Sequence, residues 1–199
     1  MLNPGQDVNE ELWDRFRRGD QISFEKIYRT HIAGLLNYGY KVTHDRSLTE
    51  DSVEDLFYEL WQSRENLSRT TSIKFYLFKA LRYKIIRNGK SRLNDFTDLA
   101  EATDLVSDDL SYENQLTNIE THALQTEQLR AVIRKLPKRQ QEAINLRYYH
   151  NFSNEEIAGI MEVNYQSACK FIYTALKSLR IDLKHSALSI VSALTLAWW

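Results

Sequence analysis

Apolar side chains recur along most of this chain at intervals of three and four residues, and almost nothing interrupts them. Six Gly and two Pro in 199 residues leave few of the breakers that short strands and tight turns require. That spacing lines apolar groups along one face of a helix, and such a face is stable only when buried against another element. The expected fold class is therefore all-α. At this length the chain can form one large domain or two small ones, so internal patterning has to decide.

Leu12, Trp13 and Phe16 make a short apolar stripe that stops at Gly19-Asp20. Phe24, Ile27, Tyr28, His31, Ile32, Leu35 and Leu36 then mark the buried face of a second helix. His31 reads as a packed histidine rather than a metal ligand, because no second ligand stands four residues on. A third helix is expected from about Thr49, whose hydroxyl can cap it, with Glu50 and Asp51 in the first turn where the helix dipole favours negative charge. Val53, Leu56, Phe57, Leu60 and Trp61 form its inner stripe. A fourth, from about Ser72 to Asn88, is expected to bury Ile73, Tyr76, Leu77, Ala80, Leu81 and Ile85, with Lys79, Arg82, Tyr83 and Lys90 on its other side and Phe75 and Phe78 at the flank.

Charge is neutral on average and segregated in detail. The net charge is -1, yet Arg64, Arg69, Lys74, Lys79, Arg82, Lys84, Arg87, Lys90 and Arg92 share their stretch with one acid, Glu65. From Leu93 to Leu129 there is no Lys or Arg, while Asp95, Asp98, Glu101, Asp104, Asp108, Asp109, Glu113, Glu120 and Glu127 accumulate. A basic module beside an acidic connector fits a chain that meets nucleic acid with one part and lies in a basic channel, or imitates nucleic acid, with the next. Periodicity fades between Asp95 and Asn118, which places the module boundary there.

Helical spacing resumes with Leu129, Val132, Ile133 and Leu136, and Pro137 is suited to the first turn of a further helix carrying Ala143, Ile144 and Leu146 inward. Ser153-Asn154-Glu155-Glu156 has capping-box spacing and starts a short helix bearing Ile157, Ala158, Ile160 and Met161. After Glu162-Val163-Asn164, Ala168, Phe171, Ile172, Ala175, Leu176 and Leu179 fall on one face, with Gln166, Lys170, Tyr173, Thr174 and Lys177 on the other. Two helices joined this way describe a helix-turn-helix, whose second helix fits the major groove, or an ordinary helical hairpin with a solvated face. A Gly would be easier than Glu162 in that turn.

These residues together resemble the extracytoplasmic-function branch of the sigma-70 family, and the resemblance spans nearly the whole chain. Thr49-Glu50-Asp51-Ser52-Val53-Glu54-Asp55-Leu56-Phe57-Tyr58-Glu59-Leu60-Trp61 is similar to the region 2.2 helix, which in that family holds the clamp coiled coil of the polymerase β′ subunit. The resemblance implies polymerase contacts at Asp51, Glu54, Asp55, Phe57 and Trp61. Ile73-Lys74-Phe75-Tyr76-Leu77-Phe78-Lys79-Ala80-Leu81-Arg82 and the cations after it resemble regions 2.3 and 2.4, implying capture of the non-template strand of the -10 element by Lys74, Phe75, Lys79, Arg82, Tyr83, Arg87, Lys90 and Arg92. Tyr83 stands where many members have Asn. Leu136-Pro137, Arg147-Tyr148-Tyr149, Phe152 to Ala158 and Val163-Asn164-Tyr165-Gln166-Ser167 resemble region 4, implying -35 contacts at Gln166, Ser167, Lys170, Tyr173, Thr174 and Lys177. The similar subgroup has Arg where Cys169 and Thr174 stand, a departure expected to weaken or redirect upstream binding.

The implied organisation is region 2 over residues 1–94, an acidic linker over 95–120, region 4 over 121–186 and an apolar tail over 187–199. The tail reads as a last helix on the second module or as a docking surface. The implied function is promoter-specific initiation with core RNA polymerase, through its β′ and β subunits, on promoter DNA and under an anti-sigma factor. No catalytic residue, metal or cofactor is expected: there is no phosphate-cradling Gly-rich loop, no H-E-x-x-H and no nucleophile placed with a base. Cys169 is the single cysteine, so no intrachain disulfide and no cysteine-built zinc site can form. The start of the chain lacks a secretory pattern and no run reaches the roughly 20 apolar residues of a membrane span, so a cytoplasmic protein without a membrane span is expected. A helix-turn-helix regulator, or a degenerate adaptor that binds polymerase or an inhibitor without reading DNA, are the other readings.

Overall fold

The computed structural model describes the backbone of residues 4–95 and 129–196, with side chains over 9–89 and 129–181. All elements among these residues are helical. They are α1 (Pro4–Arg17), α2 (Gln21–Thr43), α3 (Arg46–Gln62), a 3-10 turn (Arg64–Asn66), α4 (Ile73–Asp95), α5 (residues 129–135), α6 (Lys138–Ile144), α7 (Asn154–Met161) and α8 (Tyr165–Leu196). The described chain divides into two compact units. One contains residues 4–95 with 155–162, the other residues 129–154 with 163–196. The connector expected over residues 95–120 lies outside the described residues, apart from Asp95 at the end of α4.

In the first unit α3 packs against both α2 and α4, and α1 against α2. Its core is largely the set expected from periodicity: Trp13, Phe16, Ile27, Leu35, Val53, Leu56, Phe57, Leu60, Ile73, Leu77, Leu81 and Ile85 are buried. Each such side chain contributes ~1.5–3 kcal/mol by leaving water. Aromatic rings knit three helices at one end, with Phe24 5.0 Å from Trp61, Phe16 5.7 Å from Phe24 and Tyr28 4.8 Å from Phe57. Phe78, expected at the flank of α4, is instead buried with its ring 5.2 Å from that of Tyr38. The inner face of α4 is therefore wider than a single stripe.

Local chemistry sets the helix ends, and one start differs from expectation. α3 begins at Arg46, a turn before Thr49, because Asp45 accepts from the Leu48 N–H at 2.9 Å and so caps the helix first. His44, with φ of 55°, ends α2 in the left-handed region, its N–H bonded to the Tyr40 carbonyl, and turns the chain directly into that cap. Thr49 is buried and donates to the Asp45 carbonyl at 2.7 Å. Ser72 precedes α4 and accepts from the Phe75 N–H at 3.2 Å, and the helix then continues past Asn88 to Asp95.

In the second unit Val132, Leu136, Ile144, Ala175 and Leu179 form one cluster, with Ile133 against it, so α5, α6 and α8 share a core. Pro137 caps α6 from just outside it rather than standing in its first turn. α6 loosens into a π-helical segment, Asn145–Tyr149, in which Asn145 and Leu146 are both buried. Asn164 accepts from the Ser167 N–H at 2.7 Å at the start of α8. α8 then runs unbroken to Leu196, so the apolar tail expected as a separate last helix continues this one; its side chains lie outside the described residues.

At Gly39 α2 lies tight against α3: a Cβ there would lie 2.6 Å from Thr49 Cγ2. Helix propensity alone favours Gly39→Ala by ~1 kcal/mol. Overpacking works the other way and is expected to destabilise by about 1–3 kcal/mol. Thermal unfolding of Gly39→Ala should therefore show a lowered midpoint; a raised one would show that the two helices have room to part.

Candidate nucleic-acid interface

Two helices of the first unit carry most of the expected site residues, and the structure sorts them into surface and support. On α3, Asp51, Glu54 and Asp55 are exposed along one side with Tyr58 beside them. Phe57 is buried among Tyr28 and Phe24, so in this conformation it anchors α3 rather than offering a contact surface. Trp61 is half-buried, with the Arg64 guanidinium 4.6 Å above its ring.

On α4, Lys79, Tyr83 and Arg87 are exposed, Lys74 and Phe75 are half-buried, and Arg82 is buried. Burial holds the Lys74 ammonium below the ordinary lysine value. Lys90 and Arg92 have side chains outside the described residues. Phe75, Lys79, Tyr83 and Arg87 border one cavity of about 510 Å³, which also touches the end of α3 and the loop at residues 63–72. That loop is held by two hydrogen bonds to neighbouring helices and one within itself. The Trp13 indole N–H donates to the Ser68 carbonyl at 2.9 Å, Arg64 Nη1 donates to the Trp61 carbonyl at 2.8 Å, and Thr70 Oγ1 donates to the Ser72 carbonyl at 3.1 Å.

The wall of the cavity holds two residues that the sequence did not single out. Lys84 is only 4% exposed, and its Nζ lies 2.6 Å from Oε1 of Glu59 on α3. Arg87 Nη2 lies 3.5 Å from the same oxygen. The Lys84 ammonium, followed by Arg87, holds the Glu59 carboxyl below its ordinary value against a smaller opposing effect of burial. One sequence signal pointed here: Leu77, Leu81, Lys84 and Asn88 share a helical stripe, so Lys84 is a cation on an apolar face. Asn88 completes the link between helices, its Nδ2 donating at 3.3 Å to both Ser52 Oγ and Asp55 Oδ2.

In the second unit, Gln166, Lys170, Tyr173 and Lys177 are exposed along α8 at spacings that place them on one strip. Ser167 and Thr174 are half-buried, and Thr174 Oγ1 is engaged with the Lys170 carbonyl at 2.7 Å. Cys169 is half-buried and accepts from Asn154 Nδ2 at 3.3 Å. Before α8, Glu162 adopts φ of 54° in the turn, the left-handed conformation a Gly would take without strain. Among the described residues no group of three or more metal-ligating side chains converges, and no helix is long and apolar enough to cross a membrane.

Residues 126–179 match the family described as "Sigma-70, region 4". The chain is 24% identical over 163 residues to RNA polymerase sigma factor YlaC of Bacillus subtilis (strain 168), covering 81% of this chain and 90% of that one. Over most of its length the chain is thus similar to RNA polymerase sigma factors, and over residues 126–179 to their region 4. It is also 22% identical over 169 residues to the RNA polymerase sigma-H factor of Pseudomonas aeruginosa, covering 79% of this chain and 84% of that one. Its fold is that of the sigma factor RpoE of Bartonella quintana, solved with the anti-sigma factor NepR, at a TM-score of 0.58 and 19% identity over 81% of this chain and 96% of that one.

The Glu59–Lys84 pair has a pH signature. Because the folded carboxyl titrates below its ordinary value of 4.5, the stability it contributes is present above that pH and is lost as pH falls through the depressed value. Glu59→Gln should melt lower than the wild type near neutral pH, and the gap should close as pH drops below about 4.5. A gap unchanged down to pH ~3 would mean that the pair carries no such linkage.

Proposed function

We propose that this chain is a sigma factor of the extracytoplasmic-function branch of the sigma-70 family, which binds core RNA polymerase through the acidic side of α3 and captures the non-template strand with the cationic and aromatic groups around the α4 cavity, while α8 reads duplex DNA upstream. The observation that carries the reading is the placement, on two adjacent helices of one unit, of an exposed carboxylate row and a cavity bordered by Phe75, Tyr83, Lys79 and Arg87. Cations track a phosphate backbone, and aromatic faces stack on unpaired bases at ~1–3 kcal/mol each. Asp51, Glu54 and Asp55 present carboxylates for a basic partner, which in this reading is the β′ clamp coiled coil. Trp61 lies at the end of the same helix.

In this reading residues 1–94 serve as region 2, 95–120 as the linker and 121–186 as region 4, with the exposed strip Gln166, Lys170, Tyr173 and Lys177 entering the major groove at the -35 element. The protein acts in the cytoplasm, where polymerase is found. That RpoE was solved with an anti-sigma factor supports a comparable inhibitor for this chain. A second reading, an adaptor that holds polymerase without reading upstream DNA, is favoured by Thr174 and Cys169. Both are half-buried, and both are engaged in hydrogen bonds within their own unit.

Purified chain is expected to pull down core polymerase, and Asp55→Arg combined with Trp61→Ala to abolish this while the helical circular-dichroism signal remains. Run-off transcription with core enzyme and genomic fragments is expected to give discrete promoter-dependent products. Pull-down without such products would favour the adaptor; retained binding by the folded double variant would remove the α3 face from the interface.

A further inference from the structure

The least expected group in the first unit is the Lys84 ammonium. It is nine-tenths buried, lines the cavity beside α4, and is paired with Glu59 at 2.6 Å, a contact that engages one of its three N–H donors. An ammonium taken from water and only partly satisfied is costly, and such groups persist where a ligand completes them. Exposed cations Lys79 and Arg87 stand at the same cavity, so a backbone phosphate has better-solvated partners there.

We propose that Lys84 is the base-reading residue of this site: its ammonium donates to an acceptor on the Watson–Crick edge of one unpaired base seated in the cavity, and Glu59 is a positioning residue that keeps the ammonium aimed. This deepens the single-strand reading given above and rests on it. A base rather than a phosphate is the occupant on electrostatic grounds. A phosphate brought to Lys84 would carry a full negative charge to within a few ångströms of the Glu59 carboxylate, in a place with little water to screen the two. A neutral base avoids that repulsion and has ring faces for Tyr83 and Phe75 to cover. The Watson–Crick edge is free only when the base is unpaired, so a donor held in a buried wall distinguishes melted from duplex DNA.

The test uses the full chain bound to core polymerase and a set of non-template single strands, each with one position made abasic. For the wild type, one abasic position is expected to weaken binding by about tenfold, in line with the loss of a stacked and hydrogen-bonded base. Lys84→Met, which keeps the volume and removes the charge, is expected to bind the intact strand about tenfold more weakly, to show no further loss at that abasic position, and to keep the salt dependence of the wild type. Thermal unfolding identifies any folding defect, and Lys84→Met with Glu59→Gln provides a second variant in which neither charge of the pair is left alone. An abasic penalty of unchanged size in both variants overturns the proposal. Uniform weakening on every strand with a shallower salt dependence also overturns it, by making Lys84 a phosphate contact. Both results leave the single-strand reading standing, whereas absence of any strand binding by the wild-type holoenzyme overturns that reading together with this one.

Discussion

The polar seam between α3 and α4 decides what this protein can do. Asn88 bonds to Ser52 and Asp55, and Glu59 pairs with Lys84 and Arg87, so six side chains, three on each helix, fix α3 and α4 in register. The outer side of α3 presents carboxylates and the outer side of α4 presents cations and aromatic rings. A slip of either helix would misplace one set relative to the other. The carboxylate face and the cationic face are therefore linked through contacts of a few ångströms, with no intervening loop.

Apolar burial supplies most of the stability of this arrangement and the polar seam supplies its specificity. The ring contacts among Trp13, Phe16, Phe24, Phe57 and Trp61 bury large surfaces and hold the ends of α1, α2 and α3 together. Each ring pair contributes ~0.5–1.5 kcal/mol beyond area alone. Neither effect chooses a register by itself, since apolar faces tolerate sliding better than hydrogen bonds do. The same aromatic end fixes the loop at residues 63–72 through Trp13 and Arg64, which connects the core of the unit to the rim of the cavity.

Much of this was legible in the residues and some was not, for physical reasons. The stripe Val53, Leu56, Phe57 and Leu60 and the stripe Ile73, Leu77, Leu81 and Ile85 are buried as their spacing requires. The start of α3 was misplaced because Thr49 and Asp45 are both competent caps, and only the left-handed turn at His44 decides between them. Arg82 was expected on a solvated face and is buried, since α4 is enclosed over a wider arc than one stripe. Phe57 matches a contact motif yet points inward, because a motif constrains residue type and helix position without separating a side chain that touches a partner from one that holds the helix. Lys84 escaped notice among nine cations of its stretch; only the partner at Glu59, on another helix, shows that it is different.

Site-specific photo-crosslinking in a transcription-competent complex tests this account most directly. A photoreactive residue at Glu54, on the exposed side of α3, is expected to label a large polymerase subunit, and one at Tyr83, on the exposed side of α4, to label the non-template strand. Labelling of protein from both positions, or of DNA from the α3 position, would contradict the division of labour between the two helices.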